Sequence, residues 1–380
     1  MRIVHYNLTT TSKEGGVETF VWELSQEQVR RGHSVTIIGG AGQVDRAVRG
    51  VRVLRYPFVD RMTWRSFNPL RRHFELTKLL ERLSMLPAAL PALIGARPDI
   101  VHLHKPYDFV VAPLMRLLGA KVVYHGHGED FYPFDRFFTG ALDGMLSCSA
   151  YNARTVAARY GGDPRVVYNG FDQHHFVPQL VDQALRATLL APDERAILMV
   201  GRLQPWKGVQ YAIQALPLID PALRPRLLIG ADGTYRQTLE QLVERLGLRD
   251  RVTFLGTIPH REMPRYFALA DVVVGASFAS ETFGMVLCEA QGCARPVIAS
   301  DWAGFREVVL HEQTGLIVPA QDPPALAHGI ERTLRNPEDA RRMAEAGRAR
   351  VQRLFTWPVV TDRVEQFYAD VLDGSARSLR

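Results

Sequence analysis

The chain has 380 residues, 47% of them apolar and 23% charged. That balance excludes a wholly disordered, collagenous or coiled-coil protein, and at roughly 100–200 residues per domain the length predicts two domains. The net charge of +6 sits entirely in the first half: residues 1–175 carry 22 basic and 16 acidic side chains and residues 176–380 carry 24 of each, so an anionic partner is expected to meet the first half.

Met1–Tyr6 reads as a first strand rather than a charged leader, so no secretory signal is expected. Cys148, Cys288 and Cys293 supply neither a disulfide framework nor a CxxC site, which suits a reducing compartment. Gly15-Gly16-Val17-Glu18 opens a helix in which Val17, Phe20, Val21 and Leu24 recur at helical spacing until Gly32. Strands follow at Ser34–Gly39, Val51–Pro57, Ile100–His104, Lys121–His125, Met145–Ser149 and Val166–Tyr168. The longest apolar stretch, Leu83–Ala96, is interrupted by Pro87 and Pro91 and falls short of the ~20 residues that span a bilayer.

Residues 61–82 interleave Arg61, Arg65, Arg71, Arg72, Lys78 and Arg82 with Trp64, Phe67, Leu70, Phe74 and Leu76. This is either a membrane-surface element or a helix with its apolar side on the core and its cations in water. Nucleic-acid binding is not expected, because its motifs are missing. Histidines cluster at strand ends: His102 and His104 share one face of a regular strand, and Tyr124-His125-Gly126-His127-Gly128 ends the next. These four could be imagined as a zinc site, but neither a Cys ligand nor an HExxH helix accompanies them, so no metal is expected.

Periodicity lapses over Phe171–Glu194, where Pro178 and Pro192 mark a linker. Strands resume at Ile197–Val200, Arg226–Gly230, Val252–Leu255, Val272–Gly275, Val297–Ala299 and Gly315–Val318, and helices close the chain at 337–355 and 361–372. Strands alternating with helices in both halves predict an α/β protein of two Rossmann-like, doubly wound domains facing a cleft. The domains are expected at residues 1–175 and 176–355, with residues 356–380 a terminal helix returning to the first.

Two segments carry chemistry. Gly201-Arg202-Leu203-Gln204-Pro205-Trp206-Lys207-Gly208 follows a strand and can aim a guanidinium and an ammonium at one phosphate, unless both are solvated surface cations. Glu281-Thr282-Phe283-Gly284-Met285-Val286-Leu287-Cys288-Glu289 starts a helix near Gly284, whose free amides form an anion site. Glu289 lies roughly 7.5 Å along that helix, too far to share one bond with Glu281. The two acids suit different hydroxyl-bearing groups, or else cap the helix and face water.

These two motifs, together with Gly15–Glu18, Asp99–His104, Tyr168–Asp172, Pro296–Ser300 and Thr314–Pro319, resemble a retaining glycosyltransferase of family 4 (glycosyl transferases group 1) with the GT-B fold. The resemblance covers about the whole chain. It implies an N-terminal acceptor-binding domain and a C-terminal domain that binds a nucleotide sugar. Arg202 and Lys207 would hold the donor diphosphate, Glu281 the transferred sugar and Glu289 the ribose. Gly16 and the amides of Phe283, Gly284, Met285 and Val286 would cradle phosphates, and Gly256, Thr257 and Ile258 would face the base. His125 would sit beside the reacting sugar with His127 as its competitor, and His104 and His127 would meet the acceptor. His125, Glu281, Arg202 and Lys207 form the implied catalytic set, and no metal or other cofactor is required.

The implied activity moves a sugar from a nucleoside-diphosphate sugar to a hydroxyl of a glycan, lipid-linked or small acceptor, in polysaccharide or glycoconjugate biosynthesis. It would take place in the cytoplasm, or peripherally at the inner membrane face through residues 61–82. A sugar-nucleotide epimerase on the same fold is the alternative, and the Glu281/Glu289 spacing does not supply its acid/base pair. A nicotinamide-dependent dehydrogenase is a poorer reading, because Gly15-Gly16 does not extend to GxGxxG and no suitable acidic residue follows the next strand.

Overall fold

A computed structural model of the chain describes all residues except 14, 43, 45, 67–72 and 376–380. The chain divides into two compact units, one of Met1–Gly170 with Trp357–Arg380 and one of Phe171–Thr356.

The first unit holds a seven-stranded sheet: β1 (Arg2–Tyr6), β2 (Ser34–Gly40), β3 (Val51–Tyr56), β4 (Ile100–Leu103), β5 (Lys121–Gly126), β6 (Gly144–Ser147) and β7 (Arg165–Val166). Every pairing is parallel and the order is β3-β2-β1-β4-β5-β6-β7. The last strand stops two residues before the expected Tyr168. Its helices are α1 (Gly16–Arg30), α2 (Arg61–Ser66), α3 (Phe74–Gly95), α4 (Ala112–Leu117) and α5 (Ala150–Tyr160).

The second unit opens with α6 (Gln183–Leu189). It builds a six-stranded parallel sheet from β8 (Arg195–Val200), β9 (Pro225–Gly230), β10 (Val252–Phe254), β11 (Val272–Gly275), β12 (Val297–Ser300) and β13 (Leu316–Val318), in the order β10-β9-β8-β11-β12-β13. Between and after its strands run α7 (Val209–Ala215), α8 (Arg236–Arg245), α9 (Met263–Leu269), α10 (Met285–Gly292), α11 (Phe305–Val308), α12 (Pro323–Arg335) and α13 (Pro337–Leu354). The final helix, α14 (Trp357–Leu372), belongs to the first unit.

Hydrophobic periodicity explains α14. Val360, Val364, Phe367, Tyr368 and Val371 form one stripe, buried against Ile3, Phe20, Leu24, Ile100, Val123 and Leu146. The α3 helix runs through Pro87 and Pro91. Each interior proline costs about 3 kcal/mol. Met85, Ala89 and Leu93, four residues apart and without exposed surface, face the core alongside Val101 and Phe109. Burying a large apolar side chain stabilises by about 1.5–3 kcal/mol, so the stripe offsets much of that penalty.

In each sheet the strand order reverses once, between β1 and β4 and between β8 and β11. Loops leaving the carboxyl ends of such a pair diverge to opposite faces and leave a ligand crevice. The two motif segments of the second half leave β8 and β11 themselves.

Candidate active site

After β8 the chain turns at Gly201 and runs through a short 3-10 turn, Pro205–Lys207, to Gly208. Gly208 has φ +74, and a Cβ there would lie 2.0 Å from the Ala276 carbonyl oxygen. Only glycine lets this loop lie against the segment leaving β11. The result is that Lys207 Nζ stands 2.6 Å from Glu281 Oε2. Glu281 Oε1 accepts from the Gly284 amide at 3.1 Å, and Trp302 Nε1 donates to the Glu281 carbonyl at 3.0 Å. Glu281 therefore caps the turn into α10 and pairs with Lys207 at once. Gly284 holds φ +97 against the Phe305 ring, and the amides of Met285 and Val286 that start α10 have no carbonyl one turn back to bond, whereas Leu287 donates to the Gly284 carbonyl at 3.0 Å. Arg202 is exposed and makes no ion pair with any described residue.

Glu289 is not a solvated helix residue. It is 6% exposed, and Oε1 lies 3.1 Å from His260 Nε2. His260 follows the loop Gly256–Pro259, in which Gly256 takes φ +71 and Ile258 lies against Gly230 at the end of β9. His260 thus ties the loop expected at the base to the acid expected at the ribose. The sequence offered no sign of this, because the two are 29 residues apart.

In the first unit the parallel register aligns His5 of β1 with His102 of β4, and the β4–β5 register carries His104 next to His125. Five imidazoles, those of His5, His102, His104, His125 and His127, lie on one sheet face under Phe20 and Tyr368. Burial pushes His125 down to about 3, against a hydrogen bond with the Val167 carbonyl that favours its charged form. His5 falls to about 4 for the same reason. His102, His104 and His127 are held well below the ordinary imidazole range by burial and by one another. All five are neutral at physiological pH.

His125 and His104 have no exposed surface; Nε2 of His125 faces the Val167 carbonyl, 3.3 Å away, and His104 is enclosed by His5, His102 and His127. His127 keeps part of its surface. Gly16 begins α1 with open space where a Cβ would stand.

The basic segment also differs from a charged outer face. Phe67, Leu70, Arg71 and Arg72 lie outside the described residues. Of the rest, Arg82 is 5% exposed and holds Asp108 at 2.7 Å, Arg61 binds the buried Glu81, and Lys78 pairs with Glu75 and Asp130. Burial would raise Asp130, but Lys105 and Lys78 bring it down to about 2. Arg61, Lys78, Arg82 and Lys105 with Thr9, Glu18 and Tyr107 line a cavity of about 160 Å³. Among the described residues no helix is long and apolar enough to cross a membrane.

Two family models match the chain, Glycosyltransferase Family 4 over residues 14–175 and Glycosyl transferases group 1 over residues 181–350. A D-inositol 3-phosphate glycosyltransferase of Xylanimonas cellulosilytica is 32% identical over 397 residues, 94% of this chain and 92% of that protein. A GDP-mannose-dependent alpha-(1-6)-phosphatidylinositol monomannoside mannosyltransferase of Mycobacterium tuberculosis is 28% identical over 381 residues, 93% of this chain and 94% of that protein. In fold the chain resembles HepE of Anabaena, solved with UDP-glucose, with a TM-score of 0.79 at 21% identity over 97% of this chain and 99% of that one. Two parallel Rossmann-like sheets of this kind are the GT-B fold. The chain belongs to glycosyltransferase family 4, and it is an enzyme that transfers sugar from a nucleoside-diphosphate sugar.

Proposed function

We propose that the unit Phe171–Thr356 grips the donor diphosphate with Arg202, Lys207 and the first amides of α10. Glu281 orients the transferred sugar, Glu289 accepts from the ribose hydroxyls, and Gly256–Ile258 faces the base. The observation that carries this reading is the meeting of Lys207 and Glu281 at the N-terminus of α10, with Glu289 buried one turn further on. As the sugar–phosphate bond breaks, negative charge grows on the diphosphate. An ammonium, a guanidinium and helix amides stabilise that charge and do the work that a metal ion would otherwise do.

The first unit binds the acceptor, with His127 as the candidate group that keeps part of its surface. Of the two histidines that the family resemblance leaves in competition, His125 and His127, we place His127, a neutral imidazole, beside the reacting sugar. Transfer retains configuration by front-face substitution. The anomeric carbon–phosphate oxygen bond breaks, the bond to the acceptor oxygen forms on the same face, and the acceptor proton passes to the departing diphosphate. The charged cavity lined by Thr9, Arg61, Lys78 and Tyr107 offers hydrogen-bonding walls to a polyol. Both relatives above act, by their names, on inositol derivatives. An inositol-bearing acceptor, free or lipid-linked, is therefore the first to test, with the enzyme in the cytoplasm or at the inner membrane face.

A thermal-shift panel of UDP-, GDP- and ADP-sugars identifies the donor, because a ligand that binds only the folded state raises the melting temperature. NMR of the product then reads its anomeric configuration. Inversion would overturn retention, and conversion of the donor with no acceptor present would replace transfer by epimerisation.

A further inference from the structure

We propose that His5, His102 and His104 form a binding site for one transition-metal ion of the imidazole-preferring kind, with Zn(II) as the reference ion. A ring nitrogen of each lies within 4.8 Å of a ring nitrogen of both others. His5 Nδ1 and His104 Nε2 are 3.1 Å apart. Two imidazoles on one tetrahedral Zn(II), at about 2.0–2.1 Å each, place their nitrogens about 3.3 Å apart. A small outward relaxation makes room for the ion.

One of the three rings has a nitrogen with nothing else to bond. His102 Nδ1 is 2.5 Å from the Tyr368 hydroxyl, which leaves Nε2 as its ligand atom, and Nε2 is fully buried with no hydrogen-bond partner. A buried polar atom with nothing to bond is costly, and a metal bond removes that cost. The other ring nitrogens are anchored as a metal site needs: His5 Nε2 donates to Gln28 Oε1 at 2.8 Å, and His104 Nδ1 lies 3.4 Å from His127 Nε2. Such outer contacts fix tautomer and ring orientation in metal-bound histidines.

The donor chemistry selects the ion. Three neutral imidazoles and no carboxylate suit Zn, Cu, Ni or Fe rather than Mg or Ca, which take oxygen ligands. The three side chains have no exposed surface, so the ion enters as the unit folds and is held by the folded chain. Without a metal, the same residues form a neutral imidazole hydrogen-bond network with His102 Nε2 left over. The site lies in the first unit and is separate from the donor residues.

The test uses the full chain, made without a metal-affinity tag, unfolded in guanidinium with a chelator and refolded with or without Zn(II). Metal analysis after gel filtration should find one zinc per chain, the melting temperature should exceed that of metal-free refolded protein, and X-ray absorption should show a first shell of imidazole nitrogens. His5→Gln, His102→Gln and His104→Gln should each lose the zinc while His174→Gln keeps it, folding being checked by circular dichroism. Where a ligand variant does not fold, the absorption spectrum of the wild-type protein decides. No zinc above background overturns the proposal. So does an oxygen-dominated shell, or zinc that persists in folded ligand variants, since either would mean an adventitious ion only.

Discussion

Lys207 Nζ stands 2.6 Å from Glu281 Oε2, so the expected phosphate-binding cation is held by the expected sugar-binding acid. The pair is partly exposed, at 28% and 18%, and exposed pairs contribute only about 0–1 kcal/mol. A diphosphate therefore displaces the carboxylate from the ammonium at little cost and leaves it free to take a sugar hydroxyl.

That exchange separates two variants. Lys207→Ala should weaken binding of the bare nucleoside diphosphate and lower kcat about 10²–10³-fold, the usual effect of removing one charge-stabilising donor. Glu281→Gln should bind the bare nucleoside diphosphate at least as tightly as wild type, because Lys207 is released, and yet transfer sugar poorly. Titration calorimetry beside steady-state kinetics checks both. Glu281→Gln binding the diphosphate as weakly as Lys207→Ala does would contradict the exchange.

Glu289 is buried and bonded to His260, so its effect should fall on binding. A hydrogen bond to a charged group contributes about 1.5–3 kcal/mol, and Glu289→Ala should raise the donor KM roughly 10–100-fold with kcat much less affected. A 2′-deoxyribose or 3′-deoxyribose donor should bind wild type and variant alike. Full discrimination by the variant between the ribose and deoxyribose donors would remove Glu289 from the ribose.

The donor motifs were legible because they are local. Gly201–Gly208 and Glu281–Glu289 each lie on one strand-to-helix connection, so type and spacing stand in the sequence itself. Their meeting was less legible, since it depends on β8 and β11 being neighbours at the point where the strand order reverses. The histidine cluster was legible only in part. His102 with His104 and His125 with His127 announce a shared face by alternation, but His5 joins them through the register of β1 with β4, and Gln28 and Tyr368 come from helices. No local pattern marks those three. The expected exposure of Arg82 failed for a similar reason: its partner Asp108 lies 26 residues on, in the segment after β4.

Gly208→Ala tests the loop that presents Lys207. The added methyl would overlap the Ala276 carbonyl, and the backbone conformation is already unfavourable for an L side chain. Strain of about 1–3 kcal/mol is expected. At roughly 2–4 °C per kcal/mol for a domain of 150–250 residues, the melting transition of the second unit should fall by several degrees. Because the clash pushes the loop off β11, kcat should fall as well, even at temperatures where the variant is folded.

The Arg82–Asp108 pair is buried, with two contacts of 2.7 and 2.8 Å. Removing one partner leaves an uncompensated charge, which costs about 3–5 kcal/mol. Arg82→Met and Asp108→Leu should each destabilise the first unit in urea by that amount. The double variant should recover much of the loss, giving a coupling energy of opposite sign in a double-mutant cycle. Additive losses would mean that the two residues act through other neighbours.

His125 and His127 are two residues apart in one strand end and should fail in different ways. His125 has no surface, packs edge-on against Phe20 at 4.7 Å and reaches the Val167 carbonyl. His125→Ala leaves a hole and an unpaired carbonyl, and large-to-small changes in a core cost about 2–5 kcal/mol. Its signature should be a lowered melting temperature, with activity per folded molecule largely kept. His127 keeps part of its surface, and His127→Ala should lower kcat about 10²-fold while the melting temperature moves little. Measuring specific activity against the folded fraction of each variant separates the two. Were His125→Ala to lose activity at full stability while His127→Ala kept it, the side chain beside the reacting sugar would be the buried one, and the first unit would have to open in order to present it.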